Sequence, residues 1–250
     1  MKRKSLIYKT GVEYGDYTLN HIQGCSHGCK YPCYAYMMAK RFGKAKSYAE
    51  WTTPQIVENT LQLLDSELPR FKEKIKLLHL CFTIDPFMCG HDEIQSLSVQ
   101  VLQKANTTGV RCSVLTKGVL PQSLADLPLD NEYGVTLISL DEVFTNEYEP
   151  GASSPTQRLN ALRALHEKGC KTWVSIEPYP TPNIFDQDLS EILKAVSFVD
   201  KIIFGRLNYN KTVSQYTNHK KFYNQCATTV ISFCETHQID YYIKNGTITN

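Results

Sequence analysis

Short apolar runs alternate along the chain with longer stretches whose apolar positions repeat every three or four residues. The runs at 18–23, 77–83, 111–116, 134–140, 171–176 and 201–205 read as strands. Helical stretches lie between them. Thr53-Pro54 supplies an N-cap with proline at the first helical position and predicts a helix to about residue 68. Ser154-Pro155-Thr156-Gln157 is a capping-box start. The helix it opens lines up Leu159, Leu162 and Leu165 and stops at Gly169. Further helices are expected at 93–106, 186–197 and 219–238.

Strands alternating with helices call for a parallel sheet with right-handed crossovers. A doubly wound sheet and a partial (β/α)6 TIM-like barrel both satisfy this α/β pattern. The polar residues favour the barrel, because they gather at strand C-termini: Thr83 and Asp85, Thr116 and Lys117, Ser139 and Asp141, Glu177, Arg206 and Asn208. Barrel enzymes build their sites on that rim. Strand ends are polar in other folds too, so the pattern needs support from specific chemistry. In Leu78-His79-Leu80-Cys81-Phe82-Thr83 apolar and mixed positions alternate, which predicts that His79, Cys81 and Thr83 point into the lumen. With no linker or repeat in the sequence, one domain is expected, with its core over 18–208 and a C-terminal helix and closing segment over 209–250.

Composition changes this picture little. The 250 residues are 42% hydrophobic and 21% charged, enough for a full core. A net charge of +2 announces neither a nucleic-acid nor a membrane partner. Basic residues cluster at Lys2-Arg3-Lys4 and between Lys40 and Lys46, where solvated ends explain them adequately. The basic start lacks an apolar stretch behind it, and no run approaches membrane-spanning length. Nine cysteines without an export signal point to the reducing cytoplasm.

Three of those cysteines carry the chemistry. Cys25, Cys29 and Cys33 fall within nine residues, Gly24-Cys25-Ser26-His27-Gly28-Cys29-Lys30-Tyr31-Pro32-Cys33. Thiolates this dense suit an iron–sulfur cluster, and a cubane held by three of them leaves one iron open to a ligand. A zinc-stabilised barrel acting as a binding module is the alternative, with His27 as fourth ligand. An electron carrier is another, although its cluster would want four cysteines.

The loop, the barrel-like alternation and the polar rim together resemble the radical SAM superfamily, whose loop usually reads Cys-x3-Cys-x2-Cys with an aromatic before the last cysteine. Here Tyr31 is that aromatic, and Pro32 lengthens the second gap to three. Gly24-Cys25-Ser26-His27-Gly28-Cys29, Cys33-Tyr34-Ala35, Thr83-Ile84-Asp85-Pro86-Phe87 and Leu115-Thr116-Lys117 resemble the spore photoproduct lyase-like branch. So do Glu149-Pro150 with Arg158, and Pro178-Tyr179-Pro180-Thr181-Pro182. The likeness runs over about residues 18 to 208.

That resemblance implies a [4Fe-4S] cluster on Cys25, Cys29 and Cys33, with S-adenosylmethionine on its open iron. Reductive cleavage would then give a 5′-deoxyadenosyl radical that takes a hydrogen atom from the substrate. It gives Tyr31 a place against the adenine or the cluster, and Thr83 and Asp85 the methionine ammonium. Lys117 and Arg158 receive the methionine carboxylate, Ser139 a ribose hydroxyl, and Glu177 the ribose or the substrate. Cys81 becomes a candidate hydrogen-atom donor, as a cysteine is in spore photoproduct lyase. An electron donor such as flavodoxin or ferredoxin is the implied partner. The branch, together with the Lys40–Lys46 cluster, brings in a nucleic-acid lesion or nucleotide, with a lyase-type reaction, beside peptides and small metabolites.

Overall fold

The computed structural model of the protein describes residues 1–249. Its strands are β1 (Ile7–Lys9), β2 (Tyr17–Leu19), β3 (Ile22–Gln23), β4 (Gln55–Ile56), β5 (Leu78–Leu80), β6 (Cys112–Thr116), β7 (Glu132–Thr136), β8 (Lys171–Tyr179), β9 (Lys201–Arg206) and β10 (Asp240–Ile243). Its α-helices are α1 (Tyr34–Arg41), α2 (Tyr48–Trp51), α3 (Thr60–Phe71), α4 (Asp92–Thr107), α5 (Glu142–Tyr148), α6 (Pro155–His166), α7 (Leu189–Ala195), α8 (Lys211–Gln215) and α9 (His219–His237). One sheet runs β1-β2-β5-β6-β7-β8-β9-β10, and β3 pairs with β4 beside it. All neighbours in the large sheet are parallel except β1, which returns antiparallel along β2.

The helices cover one face of the sheet. Along α4 the residues Ile94, Ser98, Val101, Leu102 and Ala105 are buried, a stripe at the helical repeat. The expected capping box opens α6, with Gln157 N donating to Ser154 Oγ and Ser154 N donating to Gln157 Oε1.

Contacts across the other face show that the sheet curls. His79 on β5 and Trp173 on β8 stand three strands apart in the sheet, yet their rings approach to 6.1 Å. Gly134 on β7 makes room for the indole, since a Cβ there would lie 2.3 Å from it. The sheet does not close on itself. The segment between β1 and β2 bridges its two edges instead: Glu13 Oε2 accepts from Tyr242 Oη and Asn245 N, both at 3.0 Å. Beside it, Tyr14 packs edge-on against Phe82, Trp173 and Tyr242. The result is a partial TIM-like barrel with an aromatic floor.

The sequence expectations differ from this at definable points. The helix expected from Thr53 begins at Thr60, because Gln55 and Ile56 are drawn into pairing with Gln23 and Ile22. The run at 18–23 is split into β2 and β3. β7 sits slightly earlier than expected, and α7 is shorter. Not foreseen were β1, β10, α1, α2, α5 and α8. β10 extends the sheet along β9, so the C-terminal segment is part of the barrel wall.

Candidate active site

The cysteine loop leaves β3 through Gly24, whose φ of +91° and close approach to the Trp51 carbonyl oxygen (2.6 Å from a Cβ) admit only glycine. Cys25 N donates to that same carbonyl at 2.8 Å. Gly28, at φ +60°, turns the chain between Cys25 and Cys29. Cys33 is the N-cap of α1, so the last cysteine stands at a helix N-terminus. A recess of about 410 Å³ lies beside Cys29 and Cys33, bordered by Tyr31, Pro32, Tyr36 and Tyr48.

The loop is seated on the segment that joins α5 to α6. Lys30 N donates to Tyr148 O (2.8 Å), Gly151 N donates to His27 O (2.9 Å), and His27 Nδ1 donates to Gly151 O (3.0 Å). Gly151 comes so close that a Cβ would lie 2.2 Å from Ser26 O. Backbone meets backbone here.

Asp85 ties that seat to the barrel rim. One carboxylate oxygen accepts from Thr116 Oγ1 (2.6 Å) and Phe87 N (2.9 Å). The other accepts from Lys117 N (2.7 Å) and faces His27 Nε2 at 2.9 Å. Burial works against the Asp85 anion, but His27 and these donors hold its pKa below the ordinary value. In this structure Asp85 is a clamp between loop and rim. His27 is 1% exposed, with Nδ1 on Gly151 O and Nε2 lying 2.9 Å from Asp85 Oδ2.

Arg158 is likewise engaged inside the protein. Its side chain is 1% exposed, with Nε donating to Ser153 O (3.0 Å), Nη1 to Thr136 O (2.9 Å) and Nη2 lying 2.8 Å from Glu149 Oε2. It neutralises Glu149. Glu149 Oε1 accepts from Tyr31 Oη at 2.6 Å and lies 3.5 Å from Lys117 Nζ, which stands 5.4 Å over the Tyr31 ring. Tyr31 and Lys117 thus come together beneath the loop.

Burial alone would raise the Glu149 carboxyl. Lys117, Arg158 and Tyr31 instead hold it below its ordinary 4.5. A carboxylate depressed on folding stabilises fully above its unfolded pKa, and that contribution is lost as pH falls through the folded value. The stability gap between the wild type and Glu149→Gln, read by denaturant unfolding, should hold constant above about pH 5.5 and narrow in more acid solution. A gap that stays constant down to pH 3 would contradict the pairing.

The remaining rim residues are more dispersed. Thr83 donates to Asn20 Oδ1 at 3.2 Å, and Ser139 Oγ accepts from Asp141 N at 3.1 Å. Glu177 pairs with Lys244 at 2.9 Å, and burial raises its carboxyl despite that lysine. Cys81 does not face the lumen. β5 ends at Leu80, and Cys81 takes φ +63°, which breaks the alternation. Its thiol lies 3.5 Å from His21 Nδ1, while His21 Nε2 meets Ser98 Oγ on α4 at 2.8 Å. The thiol is turned to the helical layer rather than to the lumen that the alternation predicts. His79 does face the hollow, stacked on Phe82 at 3.6 Å, and at that level aromatics fill the lumen.

Sequence reasoning gave no role to Glu149 itself, to Gly151, to the Glu13–Tyr14 bridge or to Lys244. A buried acid beside Pro-Gly was the available signal for the first two. Nothing local marks the others.

The donor set fits an iron–sulfur cluster. Burial pushes the Cys25 and Cys29 thiols up, Cys29 to about 11, and each is raised further by its neighbouring cysteines. Bound metal reverses such shifts by deprotonating the thiol outright. Among the described residues no three His, Cys, Asp or Glu side chains gather as ligands of a single ion. In a cubane each thiolate meets a different iron, so its sulfurs need not converge as they must around one zinc, at about 2.3 Å from each.

A curled parallel sheet carrying a three-cysteine loop on its rim defines a class of barrel proteins built around such a loop. The sequence matches the family model of the Radical SAM superfamily over residues 19–196, and the chain belongs to that superfamily. Its cofactors follow: a [4Fe-4S] cluster and S-adenosylmethionine. An uncharacterized protein of Acidianus two-tailed virus is 30% identical over 197 residues, 74% of this chain and 64% of its own length. An uncharacterized protein of Methanocaldococcus jannaschii is 27% identical over 192 residues, 74% of this chain and 68% of its own. The chain therefore spans less than two thirds of the viral relative.

Among solved structures, spore photoproduct lyase complexed with dinucleoside spore photoproduct aligns at a TM-score of 0.70 and 16% identity, over 97% of this chain and 80% of that one. Streptococcus suis SuiB bound to S-adenosylmethionine aligns at 0.53 and 13%, over 72% and 40%. At such identities the likeness is one of fold. No helix among the described residues is long and apolar enough to cross a membrane.

Proposed function

We propose that Cys25, Cys29 and Cys33 hold the cluster and that the chain is a radical enzyme acting on a nucleotide or a nucleic-acid lesion. The observation that carries the cluster assignment is the seating of the loop: three free thiols on a rim segment fixed by glycine close approaches, the His27–Asp85 contact and the buried Arg158–Glu149 ion pair. When bound, the cluster and S-adenosylmethionine supply a carbon-centred radical that takes a hydrogen atom from the substrate.

The chain's own residues do the rest. Asp85 and His27 fix Cys25 and Cys29 against the rim. Lys117 brings positive charge to the loop, and Thr83 and Ser139 offer hydroxyls to S-adenosylmethionine. Glu177 with Lys244 faces the ribose or the substrate. Trp173, His79, Phe82 and Tyr14 close the floor, which keeps water from below away from a reactive species.

The nucleic-acid reading rests on the mouth. Tyr34, next to Cys33, and Tyr209 after β9 are 54% and 67% exposed, and their rings stack at 6.4 Å. Exposed aromatics offer faces to a base, and Lys40 and Arg41 at the end of α1 lie exposed, as do Lys44 and Lys46 just beyond it. Spore photoproduct lyase, similar in fold, is seen with a dinucleoside lesion. Tyr209→Ala should weaken binding of a short single-stranded oligonucleotide by roughly tenfold, the cost of about one lost stacking contact. An oligonucleotide that binds neither form would remove the nucleic-acid reading.

Anaerobic reconstitution tests the enzyme itself. A brown protein with iron and sulfide, absorbing near ~400 nm, should release 5′-deoxyadenosine when given S-adenosylmethionine and a reductant. A colourless zinc protein would overturn the proposal. Cluster assembly without cleavage would favour an electron carrier.

A further inference from the structure

The contact between Tyr34 and Tyr209 crosses the barrel mouth. The cysteine loop is seated where β5, β6 and β7 end, through Asp85, Lys117 and Gly151. Tyr34, the first residue of α1, nevertheless stacks on Tyr209, which follows β9. The residues on either side of Tyr209 are pinned: Asn208 Oδ1 accepts from Arg206 Nε and Asn210 Oδ1 accepts from Thr212 N, both at 2.8 Å. Between them Tyr209 takes φ +60°, a left-handed backbone that a tyrosine adopts only at a cost. Its ring is 67% exposed, so core packing does not offset that cost.

The two ring planes are 24° apart and their centroids are separated by 6.4 Å. That separation is at the long end for aromatic pairs and near twice the ~3.4 Å rise between stacked bases. A small slide of one ring makes room for one base. Charge then sets the path of a strand. Lys40 and Arg41, exposed, end α1, with Lys40 roughly 9 Å along the helix axis from Tyr34. The loop's other flank meets α5, where Lys30 N donates to Tyr148 O. There the exposed Glu142 and Glu147 repel phosphates.

We propose that Tyr34 and Tyr209 clamp the two faces of one unpaired base, with the strand's phosphates leaving over the basic end of α1. The mouth then takes a single strand or an extruded base in preference to an intact duplex. Inside a duplex both faces of a base are already covered by its neighbours. Two rings can cover that base only after both steps are unstacked and the pair is opened. A single strand has no pair to open. The inference rests on the nucleic-acid reading of this mouth and adds to it the state of the base.

The test is fluorescence anisotropy of reconstituted full-length protein with labelled probes of one sequence: a single strand, its fully paired duplex, and that duplex carrying one bulged base. The single strand and the bulged duplex should bind more tightly than the paired duplex by about tenfold or more. Tyr209→Leu should weaken binding of those two by roughly tenfold and leave the paired duplex unchanged. Tyr34→Leu should give the same pattern from the other ring, and Tyr209→Phe, which keeps its ring, should match the wild type. Lys40→Ala combined with Arg41→Ala should weaken all three probes together and flatten the salt dependence. A paired duplex bound as tightly as the single strand would overturn this inference and leave the nucleic-acid reading standing, as would a Tyr209→Leu loss equal on every probe. A wild-type protein that binds none of the probes would overturn both.

Discussion

Gly151→Ala is expected to strip most of the iron from the reconstituted protein while leaving the barrel folded. A Cβ at this position would lie 2.2 Å from Ser26 O and 3.0 Å from the His27 Cα, both backbone atoms. No side chain can move aside to make room. The loop must lift, and lifting breaks the paired bonds between His27 and Gly151 that seat Cys25 and Cys29. Overpacking costs on the order of 1–3 kcal/mol, and here that cost falls on the loop, because the barrel does not depend on it. Iron per chain and 5′-deoxyadenosine release should fall together, with far-ultraviolet circular dichroism unchanged. Full iron loading in the variant would show that the seat is dispensable.

Arg158→Met should unfold the protein more readily, whether or not it carries iron. The guanidinium is the main neutralising partner of a carboxylate that is 1% exposed, and it also satisfies the Thr136 and Ser153 carbonyls. Methionine fills the space and leaves those acceptors unpaired. Breaking one side of a buried pair costs about 3–5 kcal/mol. Lys117 can recover part of this by closing on Glu149, so the lower end of that range is expected. For a chain of this size the loss lowers the melting temperature on the order of 10 °C. A shift of only a degree or two would mean that Lys117 substitutes fully for Arg158. An Arg158 reserved for a ligand's carboxylate would give that same small change.

Arg158 also shows how far local sequence carries. A cation in the first turn of a helix has no favourable dipole there, so it reads as a residue held by something specific. That much was legible. What holds it was not, because Glu149 reaches it only after α6 packs beneath the rim. Cys81 shows the opposite failure. The alternation that predicts a lumen-facing thiol is a property of extended chain, and the left-handed turn at Cys81 ends that property one residue early. Cysteine spacing offers His27 as a fourth ligand of the zinc alternative. It is instead buried between Asp85 and Gly151, partners distant in sequence.

The barrel pattern, the capped start of α6 and the three-thiol loop could all be read from the chain, because each depends on neighbours a few residues apart: strand period, helix period, cap chemistry and cysteine spacing. The tertiary structure decided what those pieces do together. It curled the sheet until Trp173 met His79, and it set the loop on Gly151. It also brought Asp85 to His27 and Arg158 to Glu149. The physical reason is burial. A charged side chain taken out of water must find partners within a few ångströms, and which residues come that close is a property of the folded chain.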